Sequence, residues 1–158
     1  MAHFSRLRLC LSAMTTHANS LLRYWRLDPR CKRLLWEAVA ALGLASFAVA
    51  VLPFRRALAL GAVPLFQTRH PDSISQLRWA VEAAAARLPW RTMCIEQGIA
   101  LQRILRRRGI DARLHYGARL VHADAGLKAH VWLTVGEDII LGAEAAHDFA
   151  ELAVVPSP

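Results

Sequence analysis

A chain of 158 residues, 55% hydrophobic and 20% charged, is long enough to bury the core of one domain and too apolar for disorder over most of its length. Its 20 lysines and arginines against 12 aspartates and glutamates give a net charge of +8, which suits acidic partners such as a nucleic acid, an anionic lipid surface or an acidic peptide. The three cysteines, Cys10, Cys31 and Cys94, are odd in number and never spaced C-x-x-C, which argues against a disulfide framework or a zinc site and fits a reducing cytoplasm.

The first twenty residues, "MAHFSRLRLCLSAMTTHANS", contain only the short, polar patch "LCLSAM" where a secretory segment needs an apolar stretch, and they read as a frayed lead-in. From Arg33 the chain is at its most hydrophobic. The uninterrupted apolar run from Ala38 to Phe54 stops just short of the ~20 residues that a spanning helix requires, and Gly43, Ser46 and Pro53 dilute it. It is expected to form a helix packed on the core or facing a partner, with a peripheral or spanning membrane contact as the alternative. The chain thus divides into a helical N-terminal extension, residues 1–70, open to partner or membrane contact, and a core domain, residues 71–158.

Pro71, Asp72 and Ser73 supply a turn and an N-cap before a helical run that Pro89 ends; Leu77, Trp79, Ala80, Val81, Ala84 and Ala85 give it an apolar face. A second helix is predicted from Thr92, as N-cap, to Arg108, with Gly109 letting the chain leave in a left-handed turn. Its buried stripe is Ile95, Ile99, Leu101, Ile104 and Leu105. Arg103, Arg106, Arg107 and Arg108 complement the negative end of the helix dipole. No aromatic residues are interleaved with this arginine block to stack bases, so nucleic-acid binding is not expected of it.

After Gly109 the pattern turns strand-like: "IDARLHYGARLV" alternates in part, "AHVWLTV" is β-branched and aromatic, and "DIILG" is a short apolar run after the tight turn "GED". Helices followed by two or three antiparallel strands define an α+β domain.

Cys94 falls in the first turn of its helix, where unpaired N–H groups and the positive end of the dipole favour a thiolate and could also receive an oxyanion. A nucleophile needs a base. Among seven histidines, His130 stands on a predicted strand with Trp132 two residues on and on the same face; His115 and His122 are alternatives on the preceding strand and loop.

The order of these features is similar to that of a known family. "CIEQGIALQRILRRRGIDARLHYGARL" followed by "AHVWLTVGEDIILGAE" resembles the transglutaminase-like, papain-like cysteine peptidase that removes leader peptides in lasso-peptide biosynthesis, and the hydrophobic lead-in resembles that of its standalone form. The resemblance covers roughly residues 33 to 150. It implies a helix carrying the nucleophile Cys94 packed on a small antiparallel sheet carrying the base His130. The third member it implies is a carboxylate on the following strand: Glu144, delivered by Ile139 to Leu141, with Asp138 and Asp148 as poorer alternatives. Val131 and Thr134 depart from the residues usual in the family.

The implied reaction is cleavage of a ribosomally made lasso precursor between leader and core through a thioester. It needs no cofactor or metal, and acts with a separate leader-recognition protein and an ATP-dependent macrolactam cyclase. An acyltransferase of the same superfamily would use the same nucleophile and base. A membrane-associated or basic binding protein without catalysis is the reading of a different class.

Overall fold

The protein, as a computed structural model, is described over residues 24–25, 27–65, 72–120 and 126–156. The lead-in with Cys10, the domain boundary at residue 70 and His122 fall outside these residues. Helix α1 spans Pro29–Val51, starting where Asp28 Oδ1 accepts from the Arg30 N–H at 2.8 Å and Pro29 occupies a position needing no donor. Cys31, Leu34, Ala38, Leu42, Ala45 and Ala48 follow one another at three- and four-residue steps and are all buried. Pro53 cannot continue the ladder, so the apolar run breaks into a second helix, α2, Phe54–Ala59.

Helix α3, Ile74–Ala85, opens with a reciprocal cap: the Gln76 N–H donates to Ser73 Oγ at 3.3 Å, and the Ser73 N–H donates to Gln76 Oε1 at 2.9 Å. Helix α4, Cys94–Arg106, has its N-cap at Met93, one residue after the predicted cap at Thr92, and the Glu96 carboxylate reaches back to accept from the Met93 N–H at 2.6 Å. Beyond α4 the chain leaves through Gly109 at φ 75°, the left-handed exit that the sequence predicts. Leu34, Leu42, Leu77, Val81, Ile99, Leu101 and Leu105 form one core, so α1, α3 and α4 are packed together.

Strands β1 (Ala112–Leu120), β2 (Leu127–Val135) and β3 (Asp138–Leu141) are the three predicted, and a fourth, β4 (Ala150–Val155), pairs with β1 on its free side. A short helix, α5, Ala143–Ala146, separates β3 from β4. The sheet is antiparallel in the order β3-β2-β1-β4. Ala112, Leu114, Val131 and Leu133 on its inner face join the core shared with the helices, which gives the expected α+β architecture.

The arginine block is only partly a solvated helix end. Arg103 donates to the Leu60 carbonyl at 2.9 Å, and Arg106 to the Val63 carbonyl at 2.7 Å and to Asp111. Arg108 forks onto Glu37 at 2.8 and 2.7 Å and reaches Asp72 at 3.3 Å. Of the four, Arg107 alone is exposed without such a bond among the described residues.

The Arg108 hydrogen bonds hold the Glu37 carboxyl below the usual carboxylate range, against the opposing effect of burial. A folded-state value below the unfolded one stabilises the fold above the ordinary carboxylate range, and that contribution fades as pH falls through it. The melting temperature of the wild type is therefore expected to drop on acidification through this range. A Glu37→Gln chain, already less stable at neutral pH, should lose less.

Candidate active site

Cys94 is the first residue of α4 and is exposed. The N–H groups of a first helical turn have no carbonyl partners within the helix, so the sulfur sits beside donors suited to a developing oxyanion. A cleft of about 440 Å³ lies between the end of α3 and the start of α4, and Cys94 is not among the residues that line it. Glu82, Leu88, Trp90, Arg91, Thr92 and Gln97 contribute to its walls. Gln97, three residues on from Cys94 and so on the same side of the helix, donates its amide to the Thr92 carbonyl at 3.4 Å. Trp90 is fixed from behind, its indole N–H donating to Ser46 Oγ on α1 at 3.1 Å.

The histidines stand on the other layer. Alternation along β2 sends Val131 and Leu133 toward the helices and His130 and Trp132 to the outer face of the sheet. There the ring of Trp132 lies between those of His115 at 5.4 Å and His130 at 6.2 Å, and Phe149 closes on His130 at 5.1 Å. His130 Nε2 is 2.9 Å from the Gly142 carbonyl. A carbonyl oxygen only accepts, so Nε2 carries a proton, and in the neutral ring Nδ1 is then the nitrogen with the lone pair that a base needs.

Cys94 and His130 are not joined by a hydrogen bond among the described residues. They do flank one contact. Gly98, one turn on from Cys94, is so close to β2 that an added Cβ would lie 3.0 Å from Val131 Cγ1, and Val131 adjoins His130 in the chain. At this level β2 has no strand on its outer side, since β3 pairs only with Leu133, Thr134 and Val135.

Glu144 lies in the first turn of α5, not on the strand, because Gly142 at φ 78° turns the chain after Leu141. It is exposed and makes no hydrogen bond among the described residues, whereas the Gly142 carbonyl two positions earlier is bonded to His130. Asp148 is 3.5 Å from Arg119, and Asp138 opens β3, exposed. His115 has both ring nitrogens engaged, Nδ1 at 2.7 Å from Glu151 on β4 and Nε2 at 2.9 Å from the Thr134 hydroxyl on β2, which clasps three strands together. Among the described residues no three His, Cys, Asp or Glu side chains gather closely enough to hold a metal ion.

A family model for the transglutaminase-like superfamily matches residues 34–154, most of the chain, from within α1 to the penultimate residue of β4. The chain belongs to the transglutaminase-like superfamily. Membership is compatible with a cysteine peptidase or an acyltransferase, and no curated protein or solved structure matches the chain significantly. The match starts within α1, so the superfamily domain includes the hydrophobic lead-in as well as the segment carrying Cys94.

Two site features escaped the reading of the sequence: the Gly142 carbonyl, a group that every residue has, and the close approach at Gly117, which a glycine inside a strand signals. An added Cβ at Gly117 would lie 2.8 Å from the Trp132 ring and 2.9 Å from the Ala150 carbonyl, so the indole and β4 fit only against a bare backbone. Gly117→Ala is expected to cost about 1–3 kcal/mol and to change the near-ultraviolet dichroism of the aromatic stack. Chemical denaturation with that spectrum checks it; an unchanged midpoint would contradict the packing described.

Proposed function

We propose that this member of the superfamily is a cysteine peptidase that removes the leader from a lasso-peptide precursor. Cys94 is the nucleophile, His130 the base and later the acid, and Glu144 a carboxylate that supports the imidazolium from two residues beyond the Gly142 contact. The observation that carries the reading is the exposed cysteine at the first position of α4, inside the segment that the superfamily model matches. The thiolate attacks the carbonyl carbon of the scissile bond, and first-turn N–H groups receive the oxyanion. Imidazolium protonates the leaving amine of the core, and water then hydrolyses the thioester to free the leader acid.

The reaction requires the sulfur of Cys94 and Nδ1 of His130 to come within hydrogen-bond reach of each other. Binding of the precursor with a separate leader-recognition protein would supply the differential affinity for that arrangement. The released core amine is the substrate an ATP-dependent macrolactam cyclase needs.

The test is incubation of the full chain with a lasso precursor and its recognition protein, followed by mass spectrometry. Free leader acid and intact core are the expected products. A leader joined to an added amine would assign acyl transfer instead, and an unmodified precursor in the presence of both partners would overturn the reading.

A further inference from the structure

Helix α1 is apolar on two opposite sides, and only one of them faces the protein. Its 23 residues include a window of mean hydropathy 2.0, long and apolar enough by length and composition to cross a membrane, yet 33% of that window is buried in the domain. The buried stripe runs the length of the helix from Cys31 to Ala48, so α1 cannot leave the core to span a bilayer without dismantling it. The opposite stripe, Arg33, Trp36, Ala40, Leu44, Phe47 and Val51, follows the same three- and four-residue steps and is in solvent: Trp36 is 62%, Phe47 65% and Val51 61% exposed.

The charge at the two ends of this ridge is mainly basic, with the helix-capping Asp28 an exposed acid beside Arg30. Arg30 and Arg33 are exposed at its start, and Arg55 and Arg56 are exposed just past its end. Arg30, Arg55 and Arg56 make no ion pair among the described residues, while the one acid of the helix, Glu37, is held by Arg108. The Trp36 indole N–H donates to the Tyr24 hydroxyl at 2.9 Å, a pair of amphipathic rings of the kind that sits at headgroup level. An apolar ridge with aromatic anchors and unpaired cations at both ends matches an anionic lipid surface.

We propose that α1 binds an anionic membrane surface lengthwise, ridge inward, while its other face stays in the core. Trp90 ties the cleft between α3 and α4 to Ser46 on the flank of this helix, so the bound protein holds that cleft near the headgroups. This inference does not rest on the proposed peptidase activity.

The experiment is flotation of the full chain with phosphatidylcholine vesicles, with and without phosphatidylglycerol, alongside analytical ultracentrifugation. The wild type is expected to float with the anionic vesicles. Phe47→Glu should weaken this about tenfold or more, and Arg55→Ser with Arg56→Ser about fivefold per charge, while melting temperatures stay unchanged because these residues are exposed. A wild type that stays with the bulk solution, equal binding to neutral vesicles, or Phe47→Glu floating like the wild type overturns the proposal. So does a wild-type dimer that Phe47→Glu turns into a monomer without vesicle binding, since a second copy would then be the occupant of the ridge.

Discussion

Replacing Cys94 with alanine is expected to lower precursor cleavage at least about 10³-fold, the scale on which covalent catalysis fails when its nucleophile is removed. The substitution should leave the fold alone, since the side chain is exposed at the first position of α4 and contributes nothing to the core. Single-turnover assays with the recognition partner present, beside a thermal melt, separate the two effects. Glu144→Gln in the same assay is expected to cost less than about tenfold, because the imidazole hydrogen bond is made to the Gly142 carbonyl. A Cys94→Ala protein that still processes precursor would remove the basis of the peptidase reading.

The second large effect is structural. Arg108 is 6% exposed in its side chain and Asp72 3%, while Glu37, at 32%, retains some contact with water. Truncating the arginine to methionine leaves the Asp72 charge, in a place where water reaches it poorly, with the more distant and mostly solvated Arg33 guanidinium at 3.9 Å. The expected loss is about 3–5 kcal/mol, a fall in melting temperature of roughly 10 °C for a chain of this size. Pairing Arg108→Met with Asp72→Asn should recover part of it by removing that charge. If the double variant is no more stable than the single one, the cost lies in lost packing and not in charge. Arg108 Nε is itself buried with no hydrogen-bond partner among the described residues, so among these the wild-type cluster is not fully satisfied either.

The same cluster shows where the amino-acid pattern stops being readable. "RILRRRG" at a helix end is explained locally by the dipole and by left-handed exit at Gly109, and both readings fit the structure as far as they go. That Arg108 crosses to Glu37 is a pairing over 71 positions, and nothing in the local period announces it. Arg103 and Arg106 likewise reach the Leu60 and Val63 carbonyls across 43 positions, which no local period announces either. Helices α3 and α4 and strands β1, β2 and β3 were legible because their apolar positions recur with a clear period and are bounded by Ser73, Gly109 and Gly136.

Strand β4 was not legible: "AELAVV" is mostly exposed and gains its strand character from pairing with β1, not from its own pattern. Cys94 and His130 could be singled out because thiol and imidazole are scarce and chemically distinctive. The face from which His130 projects followed from alternation with Val131, but which face the helices would cover did not. Glu144 illustrates a third limit, since a glycine at φ 78° decides whether the carboxylate continues a strand or begins a helix.

The Gly142 carbonyl has one last consequence. A carboxylate gripping the ring would let go once protonated in acid, adding its own limb to the activity profile. An amide oxygen has no such transition. The ring keeps this acceptor at every pH at which the sheet survives, and the contact depends on a glycine at position 142, where an added Cβ would lie 2.7 Å from the Val131 carbonyl and 3.2 Å from His130 Nε2.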